Sequence, residues 1–236
     1  LAVRLVLALE EFPARHAHHA HAHAFLRQRG LRLQRKVNLA ARGHHDRLRR
    51  AALGLRPDEF VLLYVGRVCR QKGTDLLVDA YARLRAEGRN VRLVVAGPIG
   101  QFGHEGSDEI TANLKANNGM YLGPVEEAIL PSVYNMADIF VLPSHFEGLP
   151  MSVIEAMLTG LPVVTTDIRG PREQIVDGES GRIVPPRTVE PLAAALRGLV
   201  ADPAMRARMG AAARERAVEI YDERKIMART LDLLGL

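Results

Sequence analysis

Arg67 and Lys72 stand five residues apart in Gly66-Arg67-Val68-Cys69-Arg70-Gln71-Lys72-Gly73-Thr74, a glycine-bounded loop that follows an apolar run and leads into a helix. Glycine lets backbone approach a ligand closely, a helix N-terminus favours anions, and two cations at this spacing can close on a diphosphate from both sides. The loop reads as a diphosphate clamp; taken alone, it also fits a solvated basic loop. It is no P-loop, because the glycine-lysine-serine/threonine pattern is absent, and Gly66-Arg67-Val68-Cys69 is not the dinucleotide fingerprint.

A second segment joins two carboxylates: Glu147, with Gly148, Leu149 and Pro150 just after it, and Glu155, eight residues on. Pro150 suits a helix start, so Glu147 falls in the loop before a helix N-terminus and Glu155 inside the helix, where both can face one ligand. Carboxylates accept hydrogen bonds from the vicinal hydroxyls of a sugar or ribose, and the free N–H groups at Gly148, Leu149 and the helix start suit the diphosphate between them. A lone glutamate pair would read as surface solvation; its occurrence beside a cationic clamp changes that reading. His145, in the same loop, reads as a solvated histidine. Gly97, Gly100 and Gly103 form another glycine-rich loop, for which a turn is sufficient explanation.

Alternating strands and helices position these loops. Short apolar runs cut off by Gly, Pro or Ser predict strands at 60–65, 91–96, 120–122, 139–142, 162–165 and 181–184. Helices fill the gaps at 75–87, 109–117, 126–136, 151–158, 191–200 and 203–220, with Leu76, Leu77, Ala80 and Leu84 making one apolar stripe. This order implies a doubly wound, parallel, Rossmann-like α/β sheet with right-handed crossovers, and ligands beyond the carboxyl ends of its strands. The loops after residues 65, 97, 123, 143 and 166 are therefore the candidate site.

Residues 1–56 read as a separate, irregular stub. They hold 12 Lys/Arg against 3 Asp/Glu, seven of the nine histidines, and the run His16 to His23. Residues 57–236 hold 20 against 24, so the body is mildly acidic although the whole chain carries +5. With no aromatic platforms or reading motif, this distribution argues against nucleic acid. Alternating His/Ala offers no fixed metal site. Arg47 to Leu53 reads as a short helix ended by Gly54. A single cysteine, Cys69, excludes an intrachain disulfide framework, and no apolar run is long enough to cross a bilayer. Cytoplasm is the expected location, with a signal peptide not apparent.

Residues from about 57 to 225 resemble the C-terminal donor-binding domain of glycosyltransferase family 4, in the two-Rossmann-domain GT-B class. The resemblance rests on Gly66-Arg67 with Lys72-Gly73, Ala96-Gly97, Leu122-Gly123-Pro124-Val125, Ala137-Asp138 before Pro143-Ser144, Glu147 to Glu155, Gly160-Leu161-Pro162-Val163-Val164, and Asp177-Gly178 with Gly181. The stretch Thr166 to Gly178 is similar to members that build bacterial surface polysaccharides. The resemblance implies a retaining glycosyltransferase that moves a sugar from a nucleotide diphosphate sugar, a UDP-sugar foremost, to a glycan or lipid-linked acceptor. It implies Arg67, Lys72 and Glu147 as catalytic residues, the cations on the diphosphate and Glu147 on the donor sugar. Gly66, Gly97, Leu122, Val125, Gly148, Leu149, Pro150 and Glu155 are implied in donor binding, with the base at Leu122 to Val125 and the ribose at Glu155.

The reading needs neither metal nor further cofactor. Residues 57–236 form the donor-binding domain, and residues 1–56 offer no counterpart of the family's acceptor domain. The alternative is therefore a non-catalytic nucleotide-sugar-binding module that needs a separate acceptor-domain partner. The basic stub suits peripheral contact with an anionic membrane face. A two-carboxylate glycosidase would leave the clamp without a role, and a nicotinamide-dependent enzyme would need the missing fingerprint.

Overall fold

A computed structural model of the chain describes residues 47–99 and 106–222, together with Lys225 and Asp232. The rest of the 1–56 stub with its histidine run, and Gly100 and Gly103 of the glycine-rich loop, lie outside the described residues. Six parallel strands, β1 (Phe60–Val65), β2 (Val91–Ala96), β3 (Met120–Gly123), β4 (Ile139–Leu142), β5 (Val163–Thr166) and β6 (Gly181–Val184), form one sheet in the order β3-β2-β1-β4-β5-β6. Every residue of β4 and β5 is buried, as expected of strands covered by helices on both faces. The doubly wound, Rossmann-like α/β fold is thus the observed one. Its strand order reverses between β1 and β4, so a crevice must open beyond Val65 and Leu142, the two strand ends that carry the clamp and the glutamate loop.

The helices are α1 (Arg47–Ala52), α2 (Thr74–Ala86), α3 (Ser107–Ala116), α4 (Leu130–Asn135), α5 (Met151–Thr159), α6 (Pro171–Gln174), α7 (Val189–Ala201) and α8 (Pro203–Tyr221), with a 3-10 turn at Arg70–Lys72. In α2 the stripe seen in the sequence is buried at Leu77, Ala80 and Leu84, and Val78 and Tyr81 join it. The helix expected over 126–136 is confined to Leu130–Asn135. Pro131 has no N–H to donate back to the carbonyl of Glu127, so the helical ladder cannot extend into that turn. The short α6 and the 3-10 turn were not expected.

Helix α1, which precedes residue 57, is fastened to the body by Arg50. The guanidinium is buried and donates to Met136 O (2.8 Å), Glu59 O (3.1 Å) and Asp138 Oδ2 (2.8 Å). Asp138 Oδ2 also accepts from the N–H of Val61 at 2.7 Å, so one cluster ties α1 to the starts of β1 and β4, at the end of the sheet opposite the crevice. Among the described residues no helix is long and apolar enough to cross a membrane.

Candidate functional site

The loop after β1 is shaped by buried partners. Tyr64, fully buried at the end of β1, donates to Arg67 O at 2.6 Å and so fixes the turn. Burial raises the Tyr64 hydroxyl far above its ordinary value, which keeps it protonated as a donor. The Thr74 side chain accepts from Cys69 N–H (2.9 Å) and donates to Cys69 O (2.8 Å), closing the 3-10 turn that carries Lys72. Gly73 has φ +65°, and a Cβ there would lie 2.0 Å from Pro143 O. Only glycine permits this approach, which brings the clamp against the loop after β4. His145 N–H donates to Gln71 O at 3.0 Å, a second stitch between the loops.

Lys72 and Glu147 are thereby brought together. Lys72 Nζ lies 2.7 Å from Glu147 Oε1, with side chains 18% and 10% exposed, and Ser144 Oγ donates to the same oxygen at 2.8 Å. Ser144 is itself buried, its carbonyl accepting from the Thr166 hydroxyl of β5. One carboxylate oxygen thus has two anchors. Arg67 stands exposed across the loop, its guanidinium donating to Gln71 Oε1 at 3.3 Å.

Between these loops lies an open cavity of about 290 Å³, whose lining includes Gly66, Arg67, Lys72, Glu147, Leu149 and Pro150. Val65, Leu142, Met151 and Ser152 also line it; the sequence places them at strand ends and a helix start next to the candidate loops but does not single them out as site residues. Pro150 is the N-cap of α5, so the first N–H groups of that helix have no intrahelical acceptor. Two cations and a helix N-terminus therefore face one space, with an anchored carboxylate between them. Among the described residues no three His, Cys, Asp or Glu side chains are grouped to hold a metal ion.

The remaining candidates lie outside this lining. Glu155 is 8% exposed inside α5, and buried Tyr134 donates to its Oε2 at 2.8 Å. Burial, reinforced by the Glu155 charge, pushes the Tyr134 hydroxyl well up and keeps it protonated. Gly97, φ +138°, would place a Cβ 1.9 Å from Gly66 O, so it lets β2 close against the clamp loop. Leu122 and Val125 are half-buried at and beyond the end of β3. Gly148 is exposed and backed by Gly170, whose Cβ would lie 2.4 Å from Gly148 O. His145, expected to be solvated, has a buried Nδ1 without a hydrogen-bond partner among the described residues.

The chain is similar to known glycosyltransferases in sequence. The chain is 39% identical over 184 residues to a D-inositol 3-phosphate glycosyltransferase of Kineococcus radiotolerans, covering 71% of this chain and 42% of that protein. It is 31% identical over 159 residues to the capsular polysaccharide biosynthesis glycosyltransferase CapM of Staphylococcus aureus, covering 67% of this chain and 41% of that protein. In fold it is similar to Anabaena Alr3699/HepE, solved in complex with UDP, with a TM-score of 0.75 at 22% identity over 84% of this chain and 55% of that one. The chain spans about two fifths of the length of these curated relatives. A model of the family described as glycosyl transferases group 1 matches residues 46–216, and with that match the chain belongs to this family.

Proposed function

We propose that this chain is the donor-binding half of a retaining glycosyltransferase of family 4, which transfers a sugar from a UDP-sugar to a glycan or lipid-linked acceptor in surface polysaccharide synthesis. The observation that carries the reading is the cavity at the strand-order reversal, where Arg67, Lys72 and the N-terminus of α5 converge around Glu147. The bond between the anomeric carbon and the diphosphate oxygen breaks, and negative charge grows on the leaving group. Preorganised cations and helix amides lower the barrier most at that point. The acceptor hydroxyl attacks from the face the diphosphate leaves, and its proton passes to a departing phosphate oxygen. Glu147 orients the donor sugar through its hydroxyls, and Glu155, braced by Tyr134, serves the ribose. The base lies against the backbone of Leu122 to Val125, and Gly97 and Gly148 let the backbone approach the donor. No metal enters this scheme.

UDP in the HepE structure and the polysaccharide role in the name of CapM support the choice of donor and pathway class. Because the chain spans only part of its relatives, a second reading stands beside the first: a nucleotide-sugar-binding module that transfers only with an acceptor domain. The cytoplasmic face of a membrane, touched peripherally, is where a lipid-linked acceptor would be met. Calorimetric titration of the chain with a panel of nucleotide sugars, nucleoside diphosphates and nucleosides tests the site. Saturable binding that requires the diphosphate is the expected result. Binding of nucleosides as tight as that of their diphosphates, or of nothing in the panel, refutes it.

A further inference from the structure

Helix α8 contributes no residue to the cavity lining, yet it is hydrogen-bonded to the elements around the cavity. Helix α8 packs against α5. At the C-terminal end of α5, Gly210 of α8 packs so closely that a Cβ would lie 2.1 Å from Gly160 O, and the Arg214 guanidinium donates to Leu158 O. At the N-terminal end the contact runs through α6. Arg216 Nε donates to Gln174 O at 2.7 Å and Arg216 Nη2 to Glu173 O at 3.0 Å, while the Gln174 amide Nε2 donates to Pro150 O at 3.2 Å.

Gln174 is fully buried, and its Oε1 has no hydrogen-bond partner among the described residues. Packing alone favours an apolar side chain here, since a leucine would leave no buried oxygen unpaired. What the amide supplies is its bond to the N-cap carbonyl and a polar neighbour for the Tyr221 hydroxyl at the end of α8. Pro150 O also accepts from Val153 N–H at 3.2 Å, so that carbonyl is held from two sides. The peptide between Pro150 and Met151 is planar and trans, so a carbonyl pinned inward aims the Met151 N–H outward. Met151 lines the cavity.

We infer that Gln174 and Arg216 are positioning residues of the donor site: through them α8 sets the direction of the first-turn amides of α5 that meet the diphosphate. The inference rests on the reading of the cavity given above. Gln174→Leu fills similar space and removes the orphan oxygen, which offsets the loss of the bond to Pro150 O and of the polar contact with Tyr221, and a cooperative thermal transition shows that the variant folds. It is compared with Arg216→Met in the full chain. Each variant is titrated with whichever of UDP, GDP and ADP the parent binds, and with the matching nucleoside. The expected result is a loss of about threefold to tenfold for the diphosphate, the scale of a helix N-terminus acting on an anion, with nucleoside binding unchanged. Amide hydrogen exchange in the segment from Leu149 to Val153 of the free chain should also accelerate. Unchanged diphosphate affinity, or an equal loss for the nucleoside, overturns the inference. A parent that binds no nucleoside diphosphate refutes the proposed function, and the exchange measurement then decides separately whether Gln174 holds the start of α5.

Discussion

Lys72→Met removes a cation from both the fold and the proposed ligand site, and the two consequences can be separated. Lys72 Nζ is 2.7 Å from Glu147 Oε1, and the side chains are 18% and 10% exposed. Breaking a fully buried pair costs about 3–5 kcal/mol, whereas an exposed pair contributes about 0–1 kcal/mol. Glu147 keeps the 2.8 Å bond from Ser144 and a little solvent, so the expected destabilisation lies between these limits, about 1–3 kcal/mol. Much of it comes from the carboxylate left behind. Adding Glu147→Gln neutralises that group, so Lys72→Met/Glu147→Gln should be more stable than Lys72→Met alone. Urea unfolding of the parent, both single variants and the double variant closes the cycle, provided the denaturant slope is constant. Diphosphate affinity should behave differently: Lys72→Met loses about 1.5–3 kcal/mol, the range for hydrogen bonds to charged groups, and Glu147→Gln does not restore it. A double variant less stable than Lys72→Met, or strictly additive singles, would refute the account of the pair. Recovery of affinity along with stability would remove Lys72 from the phosphate site.

Arg67→Ala should weaken nucleoside diphosphate binding by about 1.5–3 kcal/mol in calorimetry with little change in melting temperature, because its side chain is exposed. Glu155→Gln should weaken UDP and UDP-sugar alike, whereas Glu147→Gln should spare UDP and reduce discrimination among donor sugars; equal effects of both variants on both ligands would end that division of roles. Gly97→Ala should destabilise by at least about 2 kcal/mol in urea unfolding, since φ +138° and a Cβ 1.9 Å from Gly66 O leave no room without backbone movement. Glu59 is subject to burial, which raises its pKa, but Arg92, at 2.7 and 3.0 Å, and the Arg56 N–H outweigh this and hold it below its ordinary 4.5. A depressed folded pKa stabilises above the unfolded value. That stability is therefore present above 4.5 and lost as the pH falls through the lower folded value, a slope that Glu59→Gln should reduce in acid titrations of unfolding.

What was legible in the sequence was what local pattern encodes. Strands β1, β2, β4 and β6 appear at their expected bounds; for β1, β2 and β4 the reason is that buried parallel strands need nearly continuous apolar sequence closed by turn residues. Helix α4 is shorter than its sequence pattern suggests because its start is set by one ring nitrogen at Pro131. The four-residue α6 has no periodicity to detect. In the site, Arg67, Lys72 and Glu147 were legible as residue types on loops that the fold gathers. That Lys72 and Glu147 bond to each other was not, for their contact spans 75 positions and depends on Gly73 approaching Pro143. Ser144, Tyr134 and Gln174 were harder still. A buried polar side chain has no local signature, and its meaning comes only from the partner that tertiary structure supplies.

Under the proposed reading, the charges of the cavity explain how an ion pair and an anion site can share one lysine. An ammonium has three donors, and Glu147 takes one of them, so Lys72 can meet a phosphate without releasing its partner. Ser144 holds the same oxygen of Glu147, which keeps the carboxylate in place if the lysine shifts toward a ligand. Arg67 and Lys72 less Glu147 leave one net positive charge, and the N-terminus of α5 adds roughly half a unit more. A diphosphate ester of about two negative charges would thus be largely offset by groups already in position, with little reorganisation on binding. The opposite requirement, exclusion of water from a glycosyl group as its bond to the diphosphate breaks, is not met by the same wall. The cavity is open, and Phe146 and Met151 stand 71% and 44% exposed beside Glu147 and at the start of α5. Holding donor and acceptor in attack geometry while keeping water out needs a surface facing this one. Under the proposed reading, donor affinity belongs to this chain, and the rate of transfer belongs to the cleft completed by an acceptor domain.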